Sequence, residues 1–180
     1  MPAEALRQFW EESWQRLQAA VDERDHPCRL IQLATQSIDG PQLRTVVLRA
    51  VDQAQAWWLC HTDARSAKIR QIEADPRVAV LAYDGRVGLQ LRGVGTAELD
   101  CRSPACAVAW SALSISARRL YLAAASEERP VSGAERADLA NFTLLRVRLH
   151  TLDLLLLHPD GHRRACYRAD RGWRGEWIRP

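Results

Sequence analysis

Lysine is almost missing from this chain. Of its 25 basic residues only Lys68 is lysine, and every other one is arginine. A lysine that survives such a bias marks its surroundings for inspection. Long apolar runs are also missing: stretches such as Leu154 to Leu157 are strand-sized, too short for a transmembrane helix. Met1 is followed by polar and charged residues, with no apolar leader segment. The chain therefore reads as soluble and cytoplasmic, with no membrane partner. The five cysteines (Cys28, Cys60, Cys101, Cys106, Cys166) are odd in number and lack CxxC spacing. A disulfide framework or a structural zinc site is thus not expected, and reduced thiols are. His150, His158 and His162 gather around one predicted hairpin without a carboxylate spaced to complete a metal triad, so no metal site is expected. The formal net charge is only +3, and no dense basic block or Cys/His finger is present, which leaves nucleic-acid binding without support. No internal repeat, low-complexity segment or Ser/His/Asp order stands out.

What is present fits one domain over residues 1–180, long enough for a real core. Residues 1–25 form an amphipathic helix, because Leu6, Phe9, Trp10, Trp14, Leu17 and Val21 recur at helical spacing. His26-Pro27 ends it. Strands then fill residues 29–100: 29–36, 43–51, 56–61, 77–83 and 87–99, punctuated by Ile38-Asp39-Gly40-Pro41 and Asp84-Gly85-Arg86 turns. A short helix interrupts them at 66–74 and stops at Asp75-Pro76. On the last of these strands Gln90 stands on the face opposite Leu89 and Leu91. Residues 103–125 read as helix in two pieces broken near Ser114-Ile115-Ser116, 126–133 as a loop, and 134–140 as a helical turn. Strands return over 142–178, as 142–158, 162–169 and 173–178. The first changes phase after His150, as a bulge would produce. About eight strands, mostly in hairpins, predict a mostly β chain with α decoration (α+β): an antiparallel barrel, not a doubly wound parallel sheet.

The segment around Lys68 carries the chemistry. Strand-like Arg44-Thr45-Val46-Val47-Leu48-Arg49 and Trp57-Trp58-Leu59-Cys60 lead into His61-Thr62-Asp63-Ala64-Arg65-Ser66-Ala67-Lys68. Helix-start amides, hydroxyls and cations gathered at one turn make a phosphate site. The same residues also read as a Ser-capped helix with solvated charges.

These elements occur in an order that resembles the pyridoxamine 5'-phosphate oxidase-like FMN-binding split-barrel family, as a divergent member. The shared pattern is Arg44 to Arg49, His61-Thr62, Ser66-Ala67-Lys68, Ile72-Glu73-Ala74-Asp75-Pro76-Arg77-Val78 and Gln90. The resemblance extends to Phe142–Leu149 and to Trp177-Ile178-Arg179-Pro180. It implies an antiparallel split β-barrel of the FMN-binding type, with FMN as cofactor and the site between two subunits of a homodimer. Arg44 and Lys68 would hold the phosphate, with Ser66 and Arg65 beside them. The backbone of Thr45, Val46, Val47, Leu48 and Arg49 would run along the flavin ring, and Thr62 and Gln90 would contact the cofactor. Arg49 replaces a usual lysine and is the candidate catalytic residue. His61 replaces a common tyrosine.

Other positions depart from the oxidase proper. Ala67 stands where a second phosphate-binding arginine is expected, and Arg65 is the candidate substitute. Leu155 or a neighbour occupies a flavin-contacting tryptophan position. Arg163 is retained as a substrate contact, but Ala165 replaces the histidine paired with it. An FMN-binding oxidoreductase acting on a small molecule other than the pyridoxal vitamers is expected. A non-catalytic flavin carrier or sensor, and the same barrel holding deazaflavin or haem, are the competing readings. Seven Trp against two Phe is read as an aromatic surface shared by two chains. Ser114 and Ser116 beside Arg118 could meet a partner's phosphate, although a helix break explains them as well.

Overall fold

The alternation of apolar and polar residues along the strands is the pattern of a sheet with one face turned inward. A computed structural model, describing residues 2–122 and 139–180, shows that sheet closing on itself. Its elements are α1 (Pro2–Asp22), β1 (Leu30–Ser37), β2 (Gly40–Asp52), β3 (Trp57–Asp63), α2 (Ala67–Ala74), β4 (Arg77–Asp84) and β5 (Leu89–Asp100). Then come α3 (Pro104–Ser111), α4 (Ile115–Arg118), β6 (Phe142–Leu156), β7 (Arg163–Arg168) and β8 (Gly175–Ile178). The strand order is β3-β2-β1-β4-β5-β6, and β6 pairs back onto β3, giving a closed antiparallel six-stranded barrel. β7 and β8 continue from β6 outside it. The expected split barrel is present.

Closure needs a long β6. Its first half pairs with β3, from Phe142↔Asp63 to Arg148↔Trp57, while its second half pairs with β7. Register against β5 slips between Val94↔Thr151 and Gly95↔Leu149, which leaves His150 as the extra residue. The bulge thus falls where the apolar phase changes. Gly95 cannot carry a side chain there, because a Cβ would lie 2.1 Å from the Arg148 carbonyl oxygen.

Inward residues such as Ile31, Leu33, Leu48, Trp58, Val80, Leu91 and Val147 fill the barrel, and Trp14 and Leu17 of α1 join the same core. The aromatic stripe of α1 docks on the C-terminal hairpin. Trp10 packs against Tyr167 and Trp173, Phe9 stacks on Trp177 at 5.9 Å, and the Tyr167 hydroxyl donates to the Leu6 carbonyl. Most of the tryptophans are therefore employed within one chain, and the tryptophan count is no argument for a second subunit. A smaller core lies outside the barrel, where Cys106 and Tyr121 cover Phe142 and Leu144.

Some boundaries differ from expectation for local reasons. α1 ends at Asp22 because the Arg29 guanidinium donates to the carbonyls of Ala20 and Val21 and caps the last turn. β8 starts at Gly175 and not at Trp173 because Gly172 (φ 61°) and Trp173 (φ 60°) both adopt left-handed backbone. The helical segment after Ser103 breaks before Ile115, where the Ser114 hydroxyl accepts from the Ala117 amide as an N-cap. The loop expected over 126–133 and the last residues of that helical segment lie outside the described residues.

Candidate functional site

β2 and β3 form a ladder only over half their length. Pairing runs from Asp52↔Trp57 to Leu48↔Cys60 and stops there, and Arg49 is the unpaired residue of a bulge between Leu48 and Ala50. Residues 44–47 keep their pairing with β1 but have no strand partner on the β3 side. Backbone donors and acceptors along that edge need partners from elsewhere. α2 follows β3 directly and brings its first turn to the same end of the barrel.

Two cations flank the opening. Arg44 donates from Nη1 to the Leu33 carbonyl (3.2 Å) and Thr35 Oγ1 (2.6 Å), and from Nη2 to Gln71 Oε1 (2.8 Å). Lys68 donates from Nζ to Thr62 Oγ1 (2.9 Å) and Ser66 Oγ (2.8 Å). Every one of these acceptors is neutral. Burial lowers the pKa of both cations, and for Lys68 the nearby Arg44 charge lowers it further. Among the described residues no carboxylate bonds to either group, and the more distant Asp63 charge offsets the lowering of Lys68 only in part. Ser66 precedes α2, yet its hydroxyl donates to the Asp63 carbonyl instead of capping the helix. The simple Ser-capped reading therefore does not describe this turn.

Arg49 and His61 line the outer wall nearby. The Nε of Arg49 and Nδ1 of His61 are buried and find no hydrogen-bond partner among the described residues. His61 meets the Phe142 ring edge-on at 4.9 Å. Burial, aided by the Arg49 charge, pushes the imidazole down to about 4, so it is neutral near pH 7. Arg49 also borders a cavity of ≈ 610 Å³ that it shares with Arg24, Arg29, Leu30 and Val47.

The remaining expected residues are placed differently. Thr45 is exposed on the outer face, Val46 and Leu48 point into the barrel core, and Val47 is partly buried on the outside. Arg65 turns away to Asp63, donating from Nη2 to Oδ2 at 2.6 Å and from Nε to Oδ1 at 3.0 Å. Gln90 lies on the outer face of β5 between Tyr83 and Leu155, and no contact joins it to Arg44 or Lys68. Arg163 sits outside the barrel with its guanidinium 5.8 Å from the Phe9 ring centre. Ala165 is fully buried opposite Leu154 and Trp177. Ser114 and Ser116 bond each other, and Arg118 donates to the carbonyls of Trp110 and Ser111. Sequence reasoning missed Thr35 and Gln71, which lie nine and 27 residues from Arg44. No short-range spacing could have revealed them.

Residues 10–100 match the family model described as the FMN-binding domain of pyridoxamine 5'-phosphate oxidase. Over 66 residues the chain is 44% identical to a pyridoxine/pyridoxamine 5'-phosphate oxidase of Rubrobacter xylanophilus, covering 36% of this chain and 30% of that protein. The match thus spans less than a third of the length of that curated relative. A pyridoxamine 5'-phosphate oxidase-related, FMN-binding protein of Nostoc punctiforme has a similar structure, with a TM-score of 0.77 at 26% identity over 95% of this chain and 97% of that one. PhzG of Burkholderia lata, solved in complex with tetrahydrophenazine-1-carboxylic acid, shares the fold at a TM-score of 0.72 and 20% identity, over 94% and 91% of the two chains. With Arg44, Arg49, Thr62, Lys68 and Gln90 all inside the matched segment, the chain belongs to the pyridoxamine 5'-phosphate oxidase-like FMN-binding family.

Proposed function

We propose that this protein is an FMN-dependent oxidoreductase whose phosphate seat lies between β2 and α2. The observation that carries this reading is the pair Arg44 and Lys68. Two partly buried cations share one end of the barrel, each held by neutral oxygens. A phosphate dianion supplies the charge that such a pair lacks, through charge-assisted hydrogen bonds. The open edge of residues 44–47 and the unpartnered nitrogens of Arg49 and His61 offer further polar contacts, so the residues present fit FMN. When bound, FMN would supply the hydride or electron chemistry.

The chain's own residues would bind and orient it. Arg44 and Lys68 hold the phosphate, and Thr62 and Ser66 fix the Lys68 ammonium. Arg49 presents a cation beside the site, where it would stabilise negative charge developing on a reacting group. Neutral His61 offers a ring nitrogen without adding a fourth charge. Gln90 is too far along β5 to serve the same seat. The outer wall also leaves Leu30 (55% exposed), Leu43 (69%), Tyr83 (45%) and Val94 (46%) uncovered. Both facts favour a C2 homodimer in which Gln90 completes the other chain's site. Pyridoxamine and pyridoxine 5'-phosphate are not the expected substrates, because Ala165 is buried and Arg163 rests on Phe9. The pair that would act on a pyridoxal ring is incomplete.

The purified protein is expected to carry a yellow chromophore that denaturation releases as FMN, and to be reducible by NAD(P)H or a small organic donor. Release of haem or a deazaflavin in its place would overturn the cofactor. Stoichiometric FMN with no turnover by any donor would leave a flavin carrier.

A further inference from the structure

We propose that Gln71 and Thr35 are positioning residues that aim Arg44 at the phosphate while leaving its charge uncompensated. The inference rests on the phosphate reading above. Thr35 is 3% exposed and its hydroxyl bonds in both directions, accepting from Arg44 Nη1 at 2.6 Å and donating to Gln71 Oε1 at 2.7 Å. Gln71 Oε1 accepts this bond and a second from Arg44 Nη2 at 2.8 Å, which uses both lone pairs of the amide oxygen. The three side chains come from β1, β2 and α2, so the triangle also ties α2 to the barrel.

The geometry decides which donors stay free. A guanidinium has five N–H groups in a fixed fork. Thr35 Oγ1 and Gln71 Oε1 are neighbours, so together they meet the end-on edge formed by Nη1 and Nη2. The Leu33 carbonyl takes the other Nη1 hydrogen. What remains is the side-on edge, Nε–H with the outer Nη2 hydrogen, which matches two oxygens of a phosphate. A carboxylate in place of Gln71 would hold Arg44 equally well but would neutralise it. The neutrality of Gln71 is therefore the property that matters, and its length is the property that aims.

The test compares FMN with riboflavin by calorimetric titration of the apo-protein. Gln71→Glu should weaken FMN binding about tenfold or more, leave riboflavin binding unchanged, and hold or raise the thermal midpoint of the apo-protein. Thr35→Val, which removes both hydroxyl bonds without adding charge, should weaken FMN by a few fold, again sparing riboflavin. Wild-type preference for FMN that survives in both variants would overturn the positioning role and leave the phosphate seat standing. Equal loss of FMN and riboflavin would show that Gln71 serves only the fold, which also overturns it. A wild-type protein with no preference would remove the phosphate seat and this role together.

Discussion

Arginine does opposite work at two places in this molecule. On the β5–β6–β7 face, Asp153 lies between Arg92 and Arg164, at 2.7 Å and 2.8 Å from their Nη2 atoms. Burial pushes the Asp153 carboxyl up, but the Arg164 hydrogen bond and the Arg92 charge outweigh it and hold the group below its usual range. There the protein itself supplies a carboxylate to the cations. At the β2–α2 seat, Arg44 and Lys68 are held just as firmly, but by hydroxyl, amide and carbonyl oxygens. Firm hold without neutralisation separates a binding site from a structural ion pair. Residue type alone does not make that distinction, and the identity of the acceptors does.

The contrast can be broken from either side. Asp153→Ala removes the buried carboxylate that two partly exposed guanidinium groups share and should destabilise the fold by about 2 kcal/mol, between the exposed and the buried case, read from the midpoint of chemical denaturation. Lys68→Ala and Arg44→Ala should each weaken FMN binding by about ten- to a hundredfold, since charge-assisted contacts are worth roughly 1.5–3 kcal/mol. The apo-protein should tolerate Lys68→Met without loss of stability, because an uncompensated cation is removed. A large destabilisation would place Lys68 with the structural arginines.

Acid should act on the same wall. The folded value of His61, about 4, lies below its ordinary 6.5, so the unfolded chain takes up a proton first. The stability that neutral His61 contributes above pH 6.5 is lost as pH falls toward 4. The drop in thermal midpoint between pH 7 and pH 4.5 should therefore be smaller in His61→Phe than in the wild type. The smallest effect is expected at Arg65. Its exposed pairing with Asp63 predicts that Arg65→Ala changes FMN affinity or stability by less than about 1 kcal/mol. A tenfold loss of affinity would instead make Arg65 the stand-in for the arginine that Ala67 replaces.

Local features were legible in the sequence because their causes are local. The α1 stripe, the hairpin turns and the phase change at His150 each follow from side-chain periodicity within a few residues. The Arg65 pairing was legible too, though it was missed. In the turn Asp-x-Arg segments at 63–65, 75–77 and 84–86 the aspartate accepts both the arginine amide and its guanidinium, whereas at 100–102 it accepts the amide alone. The hairpin pattern pointed to an antiparallel barrel, but which strands close it was not legible from periodicity, since β3 meets β6 across about 80 residues of chain. Thr35 and Gln71 could not be found for the same reason. Their role depends on three elements that meet only after β1, β2 and α2 have packed.

Arg44 and Lys68 bond only neutral acceptors, which leaves their charge to a phosphate. Titrating the wild-type apo-protein with FMN and with riboflavin at one ionic strength tests it most directly. FMN is predicted to bind at least about a hundredfold more tightly, as two charge-assisted contacts imply. Equal affinity for the two flavins would contradict the claim.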